Sequence, residues 1–153
     1  MNAQASQAGR RILIVDGHSI IFAWPELRKA HARKNQPARE TLVKQLTEYQ
    51  DFSGVHVAVV FDGQGTKVSE ESAPGGIQVF FSASGQTADD VIERLVATYG
   101  SKHEITVATD DLLERQTAES FGALYLSSEG LRDLLEGNRN DLSRALKARK
   151  KRA

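Results

Sequence analysis

Short runs of β-branched residues alternate with helical patterns along the chain, and this alternation is what most restricts its fold. Five runs are predicted to form strands, at residues 12–15, 55–61, 77–81, 105–109 and 124–126. Strands that alternate with helices form parallel sheets whose two faces are both covered. The pattern therefore predicts an α/β fold of three layers, α/β/α, around a central, mostly parallel sheet of about five strands.

The segments between the strands carry apolar residues at spacings of three and four, as the buried face of a helix requires. They predict helices at residues 26–33, 38–49, 88–99 and 112–121, with further helical material at 128–136 and from 140 onward. Thr87 and Asp90 have the spacing of a capping box at the start of the third helix. The one long irregular stretch, residues 63–76, is predicted to be a functional or mobile loop.

Composition excludes several kinds of chemistry. The chain has 153 residues, enough for one domain, and it contains no cysteine. Disulfides, thiolate nucleophiles and cysteine-bound zinc or iron–sulfur clusters are therefore excluded. No apolar run approaches the roughly 20 residues of a membrane helix, and the N-terminus does not resemble a secretory signal. We expect a cytoplasmic protein that contacts no membrane.

The chain divides by charge into an acidic body and a basic tail. Its formal net charge is zero, yet residues 144–153 hold six basic side chains and no acid. Residues 1–143 thus carry 14 basic and 20 acidic side chains, a net charge of −6. Such a tail is explained either by a solvated helix end or by contact with nucleic-acid phosphates. We predict a disordered leader (1–10), a folded domain (11–137) and a basic C-terminal helix or tail (138–153).

Aspartates stand at the ends of the predicted strands and at the start of the helix that follows the third strand. The six residues are Asp16, Asp62, Asp89, Asp90, Asp110 and Asp111. Because the carboxyl ends of parallel strands meet at one edge of a sheet, we expect these side chains to lie near one another. Crowded carboxylates raise each other's pKa values unless a cation intervenes, and oxygen ligands suit Mg²⁺ or Mn²⁺. The pattern predicts a divalent-metal site that activates water and polarises a phosphodiester.

Each of these acids also has a purely structural explanation. Acids in the first turn of a helix are favoured by the helix dipole, and Asp62 can belong to a simple turn. Asp110 or Asp111 can cap the next helix, with Glu114 completing a capping box after Asp111. Asp16 is the hardest to explain in this way, because it ends an apolar strand and no clear helix pattern follows it.

Six short motifs resemble the YacP-like branch of the NYN domain family, in the same order along the chain. They are ILIVDGHSII at 12–21, AWPEL at 23–27, VVFDG at 59–63, VFFS at 79–82, TADDVIE at 87–93 and TVATDD at 106–111. The resemblance extends from about residue 11 to residue 135. Two positions depart from the family pattern, since His18 stands where the family often has Tyr and Ser19 where it usually has Asn.

NYN domains are similar to PIN domains, so the resemblance implies a metal-dependent ribonuclease fold with acids at the carboxyl edge of its sheet. YacP-like members are linked to RNA cleavage, including cleavage of mRNA at the ribosome. Transferred residue by residue, the resemblance names the catalytic acids of this chain: Asp16, Asp89 and Asp111 as metal ligands, Asp62 as a fourth acid, and Asp90 and Asp110 as auxiliaries.

The resulting interpretation is an endoribonuclease that uses Mg²⁺ or Mn²⁺ to hydrolyse single-stranded RNA. The residues expected to contact the RNA are His18, Ser19, Thr109, Arg94, Arg115, Lys147, Arg149, Lys150, Lys151 and Arg152. His18 lies two residues after Asp16, where it either touches substrate and moves protons or is an ordinary loop histidine.

Two other classes of protein remain as alternatives. A catalytically weakened RNA- or ribosome-binding NYN module would keep RNA affinity and lack metal-dependent cleavage. A receiver-like phospho-acceptor domain shares the alternation of strands and helices, but the acid pair expected after the first strand and the lysine expected after the fifth are absent. The sequence leaves open whether the protein is a monomer or a homodimer.

Overall fold

The computed structural model describes residues 9–152, except for the side chains at positions 35, 151 and 152. Its strands are β1 (Arg11–Asp16), β2 (His56–Phe61), β3 (Ser69–Glu70), β4 (Gln78–Phe81), β5 (Glu104–Ala108) and β6 (Leu124–Leu126). Its helices are α1 (Gly17–Ala23), α2 (Pro25–Arg33), α3 (Asn35–Ser53), α4 (Ala88–Tyr99), α5 (Leu112–Ser120) and α6 (Ser128–Arg152). The predicted leader lies outside the described residues, apart from Gly9 and Arg10.

The strands form one sheet in the order β3-β4-β2-β1-β5-β6, in which every neighbouring pair is parallel except β3 and β4. Strand β1 lies at the centre, where Val15 pairs with Val59 of β2 and with Ala108 of β5. This arrangement confirms the predicted three-layer fold with a mostly parallel sheet. The carboxyl ends of β1, β2, β4 and β5 meet at one edge, and Asp16 stands in the middle of that edge.

Alternate residues of the central strands enter two separate cores, because successive side chains of a strand point to opposite faces. Val15 and Phe61 pack on the face covered by α1, α2, α3 and α6, together with Leu42. Ile14 and Val60 pack on the other face, covered by α4 and α5. Each fully buried side chain of this size contributes about 1.5–3 kcal/mol, so both cores hold the carboxyl edge of the sheet in a fixed geometry.

Helix α1 begins directly after β1, at a place where the sequence pattern indicates no helix. The helix has seven residues and buries Ile20 and Ile21, a length too short to show helical periodicity. Gly17 permits the abrupt transition, because a Cβ atom there would lie 2.3 Å from Cε1 of Phe61. The backbone of α1 therefore packs directly against β2, which fixes the residues that follow Asp16.

The sheet edge and the C-terminal helix also differ from the predicted elements. Strand β3 lies within the predicted loop 63–76. It pairs with β4 and is an edge strand of the sheet. Helix α6 is one continuous helix instead of two segments, because Leu131, Leu135 and Asn138 are buried on one side of it. The predicted domain boundary after residue 137 falls inside this helix and stays a prediction. Every helix within residues 9–152 is too short or too polar to cross a membrane.

Candidate metal centre

Three carboxylates from separate elements meet at the carboxyl edge of the sheet. Asp16 ends β1, Asp89 lies in the first turn of α4, and Glu114 lies in the first turn of α5. One oxygen of each residue lies within 4.8 Å of the corresponding oxygens of the other two. Asp16 and Glu114 are buried, with exposed fractions of 7% and 5%, and Asp89 is half-buried. We call these three residues the inner acids.

Burial makes the inner acids poor anions in the absence of a cation. Burial, contact with Asp89 and the charge of Asp16 together raise the pKa of Glu114 to about 11. Burial also raises the pKa of Asp16, although hydrogen bonds from Glu114 and from the Thr109 hydroxyl oppose that shift. Without a cation, Glu114 therefore keeps its proton at neutral pH.

The donor set fits a hard divalent cation. Both carboxyl oxygens of Glu114 are buried, and neither receives a hydrogen bond from the described residues. Hard cations hold oxygen ligands at about 2.0–2.6 Å, so ligands on opposite sides of one ion lie about 4–5 Å apart. The oxygens of the inner acids all lie within 4.8 Å of one another, close enough to share one ion. The protonated Glu114 can donate only its one proton to Asp16 or Asp89, and a cation would take the place of that proton and favour the ionised form of Glu114.

Asp16 is oriented by Thr109, which directly follows β5. The Thr109 hydroxyl donates to Oδ2 of Asp16 at 2.9 Å and accepts the backbone N–H of Asp111 at 3.0 Å. Close to Asp16, the Ser19 hydroxyl accepts the backbone N–H of Asp110 at 2.9 Å, which joins the start of α1 to the segment that follows β5. Thr109 is fully buried, so it has no surface with which to touch the RNA that the sequence assigns to it. Its contact is with Asp16 instead.

The remaining predicted acids surround the inner acids and bind backbone amides near the starts of helices. We call Asp62, Asp90, Asp110 and Asp111 the outer acids. Oδ1 of Asp62 accepts the backbone N–H of Ala88 at 2.9 Å. Asp90 forms the predicted capping box with Thr87, which confirms the structural explanation of that acid. These carboxylates are satisfied by the fold itself.

Asp110 and Asp111 have the same kind of structural role. Asp110 accepts both the backbone N–H and the hydroxyl of Ser128 at the start of α6, at 2.8 and 2.6 Å. Oδ1 of Asp111 caps α5 by accepting the amides of Leu113 and Glu114, at 2.9 and 3.3 Å. The Glu114 side chain lies against Asp16 and Asp89, so it does not complete the capping box expected with Asp111. Asp111 thus lies beside the inner acids without belonging to their close group.

Two of the inner acids, Asp16 and Asp89, border a surface cleft of about 610 Å³, and the buried Glu114 lies close to both of them. The residues that line it are Asp16, Asp89, Asp62, Asp110, Asp111, His18, Ser19, Phe22, Ala23, Thr87 and Ala88. This lining contains no lysine or arginine, so the cleft as described carries a strongly negative charge. Such a cleft attracts a divalent cation and repels the phosphates of a nucleic acid that has not bound one.

His18 stands on the wall of this cleft beside Asp62. Its Nδ1 lies 3.3 Å from Oδ2 of Asp62 and 3.3 Å from the Asp62 backbone nitrogen. Burial lowers the pKa of His18, although the charge of Asp62 opposes the shift. The imidazole is therefore neutral at pH 7, and its Nδ1 accepts the backbone N–H of Asp62.

A family model for the YacP-like NYN domain matches residues 13–153. The chain belongs to this family. The protein YacP of Bacillus subtilis, which is described as uncharacterized, is 36% identical to this NYN domain over 122 residues, which cover 78% of this chain and 72% of YacP. Two crystal structures of Rae1 (YacP) from the same organism share the fold. Their TM-scores are 0.77 and, for a W164L mutant, 0.78, with 32% and 31% sequence identity. The matches cover 92% and 91% of this chain and 82% of each Rae1 chain.

Membership in the NYN family indicates an RNA nuclease, because NYN domains belong to the PIN-like nuclease superfamily. The inner acids of this NYN domain are the acidic cluster that such a nuclease needs. NYN and PIN-like nucleases typically use divalent metals, and the inner acids are a cluster of the residue type that binds them.

The cations predicted to bind RNA do not line the cleft of this NYN domain, as far as their side chains are described. Arg94 is exposed on α4, and Arg115 pairs with Glu119 at 2.9 Å while its guanidinium lies 4.4 Å from the ring of Tyr125. The predicted tail residues are all in α6: Lys147, Arg149 and Lys150, which are exposed, and Lys151 and Arg152, whose side chains lie outside the described residues.

Glu114 is the residue that sequence reasoning considered only as a helix cap. A signal for its position does exist, because Glu114 and the buried Ala118 are four residues apart and share one face of α5. Carboxylates on the buried face of a helix are rare unless they are paired or bind a metal. Asp16 and Asp89, in contrast, are brought together as the sequence predicted, at one edge of the sheet.

Proposed function

We propose that this NYN domain is a metal-dependent endoribonuclease that hydrolyses phosphodiester bonds of single-stranded RNA, with Mg²⁺ or Mn²⁺ held by Asp16, Asp89 and Glu114. The observation that carries the proposal is the group of three carboxylate oxygens within 4.8 Å, two of whose residues are buried. The unsatisfied oxygens of Glu114 support it independently. A buried acidic group of this kind is costly for the fold and is retained where it binds a cation.

In this proposal each residue around the cleft has a distinct task. A bound divalent cation would lower the pKa of a water molecule and polarise the phosphodiester. The Thr109 hydroxyl keeps the Asp16 carboxylate oriented through its hydrogen bond to Oδ2. Asp62, whose side chain is 57% exposed, orients the attacking water, and the neutral His18 beside it holds the Asp62 backbone in place through Nδ1. Asp111 remains a fourth acid close enough to the cleft to contact the substrate or its cation.

The direct test is cleavage of a labelled single-stranded RNA with Mn²⁺, compared between the wild type, Asp16→Asn and Glu114→Gln. We expect both substitutions to reduce cleavage on the order of 100-fold or more, because each removes a metal ligand. Asp133→Asn, an exposed acid on α6, is the matched control and should cleave like the wild type. Circular dichroism of each variant establishes that the fold is intact.

The same assay separates the nuclease from an RNA-binding module. Binding of several RNAs without any cleavage, in Mn²⁺ or Mg²⁺ and with or without ribosomes, would favour the binding module. Action on mRNA at the ribosome is the finer part of the proposal, and it is supported by the exposed basic end of α6 together with the family resemblance. It predicts that ribosomes accelerate cleavage of a translated mRNA relative to the same RNA in free solution.

A further inference from the structure

Phe22 is an exposed aromatic residue on the wall of the acidic cleft. Helix α1 buries its neighbours Ile20 and Ile21 completely, whereas half of the surface of Phe22 is exposed. The cleft that Phe22 lines also contains Asp16 and Asp89. Packing of the core therefore does not account for an aromatic side chain at this position.

The ring of Phe22 is supported from behind by two other rings. Its centroid lies 4.8 Å from that of His31 in an edge-to-face contact and 6.3 Å from that of His18. His18 in turn lies edge-on against the fully buried Phe61, with centroids 5.7 Å apart. We call His18, Phe22 and His31 the ring cluster. The ring cluster packs against the core through His18. The Phe22 ring is therefore held in place beside the cleft, which lowers the entropic cost of binding to it.

The charge of the cleft explains why such a surface is useful. The phosphates of RNA are repelled by the acids of the cleft, and no lysine or arginine lines it among the described residues. Close binding then requires contacts that do not depend on charge. Stacking of a base on an aromatic ring is such a contact, and it tolerates any base because every base has a π-face.

We propose that Phe22, backed by His31, is a stacking platform for one unpaired nucleobase next to the phosphodiester held at the inner acids. This inference rests on the proposed function and adds a selection step, because a base within a duplex is already stacked on its neighbours. Phe22 therefore selects single-stranded RNA and sets the position of the strand in the cleft.

The first test measures binding in the cleavage-deficient Asp16→Asn background, using a fluorescein-labelled single-stranded RNA with Mg²⁺ and fluorescence anisotropy. We expect Phe22→Ala to raise the Kd about tenfold and Phe22→Trp to leave it nearly unchanged, since tryptophan also stacks. Phe22→Leu keeps the apolar character without the π-face and should bind as weakly as Phe22→Ala. Phe52→Ala is the matched control, because Phe52 is 41% exposed at the end of α3 and does not line the cleft.

A second test asks whether the platform takes a base. In a set of oligonucleotides with one abasic site at successive positions, one position should weaken binding to the protein that retains Phe22. The same abasic site should cause no further loss in Phe22→Ala, because the stacking partner is already missing. Melting curves of Phe22→Ala and Phe22→Trp check that the fold is retained, and the tryptophan variant keeps the test valid if the alanine variant is unstable.

Three results would overturn the platform. The first is binding by Phe22→Ala equal to that of its parent, which would mean that Phe22 does not contact the RNA. The second is full binding by Phe22→Leu, which would mean that an apolar side chain without a π-face is sufficient. The third is an abasic scan with no sensitive position. If RNA is cleaved in the wild-type background but Phe22→Ala changes neither cleavage nor binding, the platform alone fails. If the wild-type protein neither binds nor cleaves RNA, both the proposed function and the stacking platform are wrong.

Discussion

The inner and the outer acids lie at the same edge of one sheet, yet the fold treats them in opposite ways. Each outer acid accepts hydrogen bonds from backbone amides, as Asp110 does at the start of α6. Glu114 accepts no hydrogen bond from the described residues, and its carboxylate lies close to those of Asp16 and Asp89. An acid satisfied by amides stabilises the fold, whereas a buried and unsatisfied acid destabilises it until a cation arrives. Hydrogen bonding of the oxygens, rather than position at the edge, therefore separates Glu114 from the outer acids, and Asp16 is intermediate because it accepts the Thr109 hydroxyl.

The largest expected difference between the two groups is in catalysis. Glu114→Gln should lower metal-stimulated RNA cleavage on the order of 100-fold, because an amide is a poorer ligand for a hard cation than a carboxylate. Asp110→Ala should change the rate by no more than a few-fold, since its carboxylate is occupied by Ser128. Single-turnover cleavage rates of both variants measure this contrast. Equal losses in the two variants would show that the distinction between inner and outer acids has no catalytic meaning.

The second contrast is in the pH dependence of stability without metal. Glu114 is protonated in the folded state, with a pKa of about 11, and ionises near 4.5 when unfolded. The folded state therefore binds the extra proton, and the free energy of unfolding falls as pH rises above about 4.5, by at most about 1.4 kcal/mol per pH unit. Denaturant unfolding in EDTA between about pH 5 and pH 8 should show this fall.

Two controls belong to that measurement. Glu114→Gln cannot ionise, so its free energy of unfolding should fall less steeply over the same range. Saturating Mn²⁺ should restore stability at the higher pH values, because a ligand that binds only the folded state stabilises it by mass action. A wild-type profile as flat as that of Glu114→Gln would mean that Glu114 is not buried in a protonated form.

The third contrast is in the sign of the change in stability. Asp110→Ala removes the acceptor for Ser128 at the start of α6 and should cost about 0.5–2 kcal/mol. Glu114→Gln, measured in EDTA at neutral pH, should instead leave the protein as stable as the wild type or more so, because wild-type Glu114 must take up a proton on folding and glutamine does not. Thermal or urea unfolding of the two variants checks the opposite signs. Destabilisation of similar size in both would contradict this comparison.

The smallest effect on the fold is expected at the basic end of α6. Residues 143–150 are exposed, so removal of the chain after Leu142 should change the free energy of unfolding by no more than about 0.5 kcal/mol. The truncation removes six cations and should weaken RNA binding and flatten its dependence on salt concentration. Binding titrations at several salt concentrations measure both quantities. An unchanged affinity and salt slope would identify this segment as a solvated helix end.

The fold was largely predictable because its signals are local. A short β-branched run such as residues 12–15 specifies a buried strand by itself, and the alternation of runs with helical spacings leaves few topologies. The capping box of Thr87 and Asp90 is local in the same sense and is confirmed. Helix α1 was missed because seven residues are too few to show periodicity, and the close approach of Gly17 to Phe61 depends on a strand more than forty residues away.

By itself, the amino-acid sequence determined the parallel sheet and the arrival of Asp16 and Asp89 at its carboxyl edge, because strand direction and chain order dictate where strand ends meet. Only the tertiary structure decided that Glu114, rather than Asp111, is the third member of the close group. That choice depends on the rotation of α5 about its axis, which follows from packing of Ala118 into the core. It also depends on burial. A carboxylate in this position becomes a candidate metal ligand when the fold excludes water from it and provides no hydrogen-bond donor.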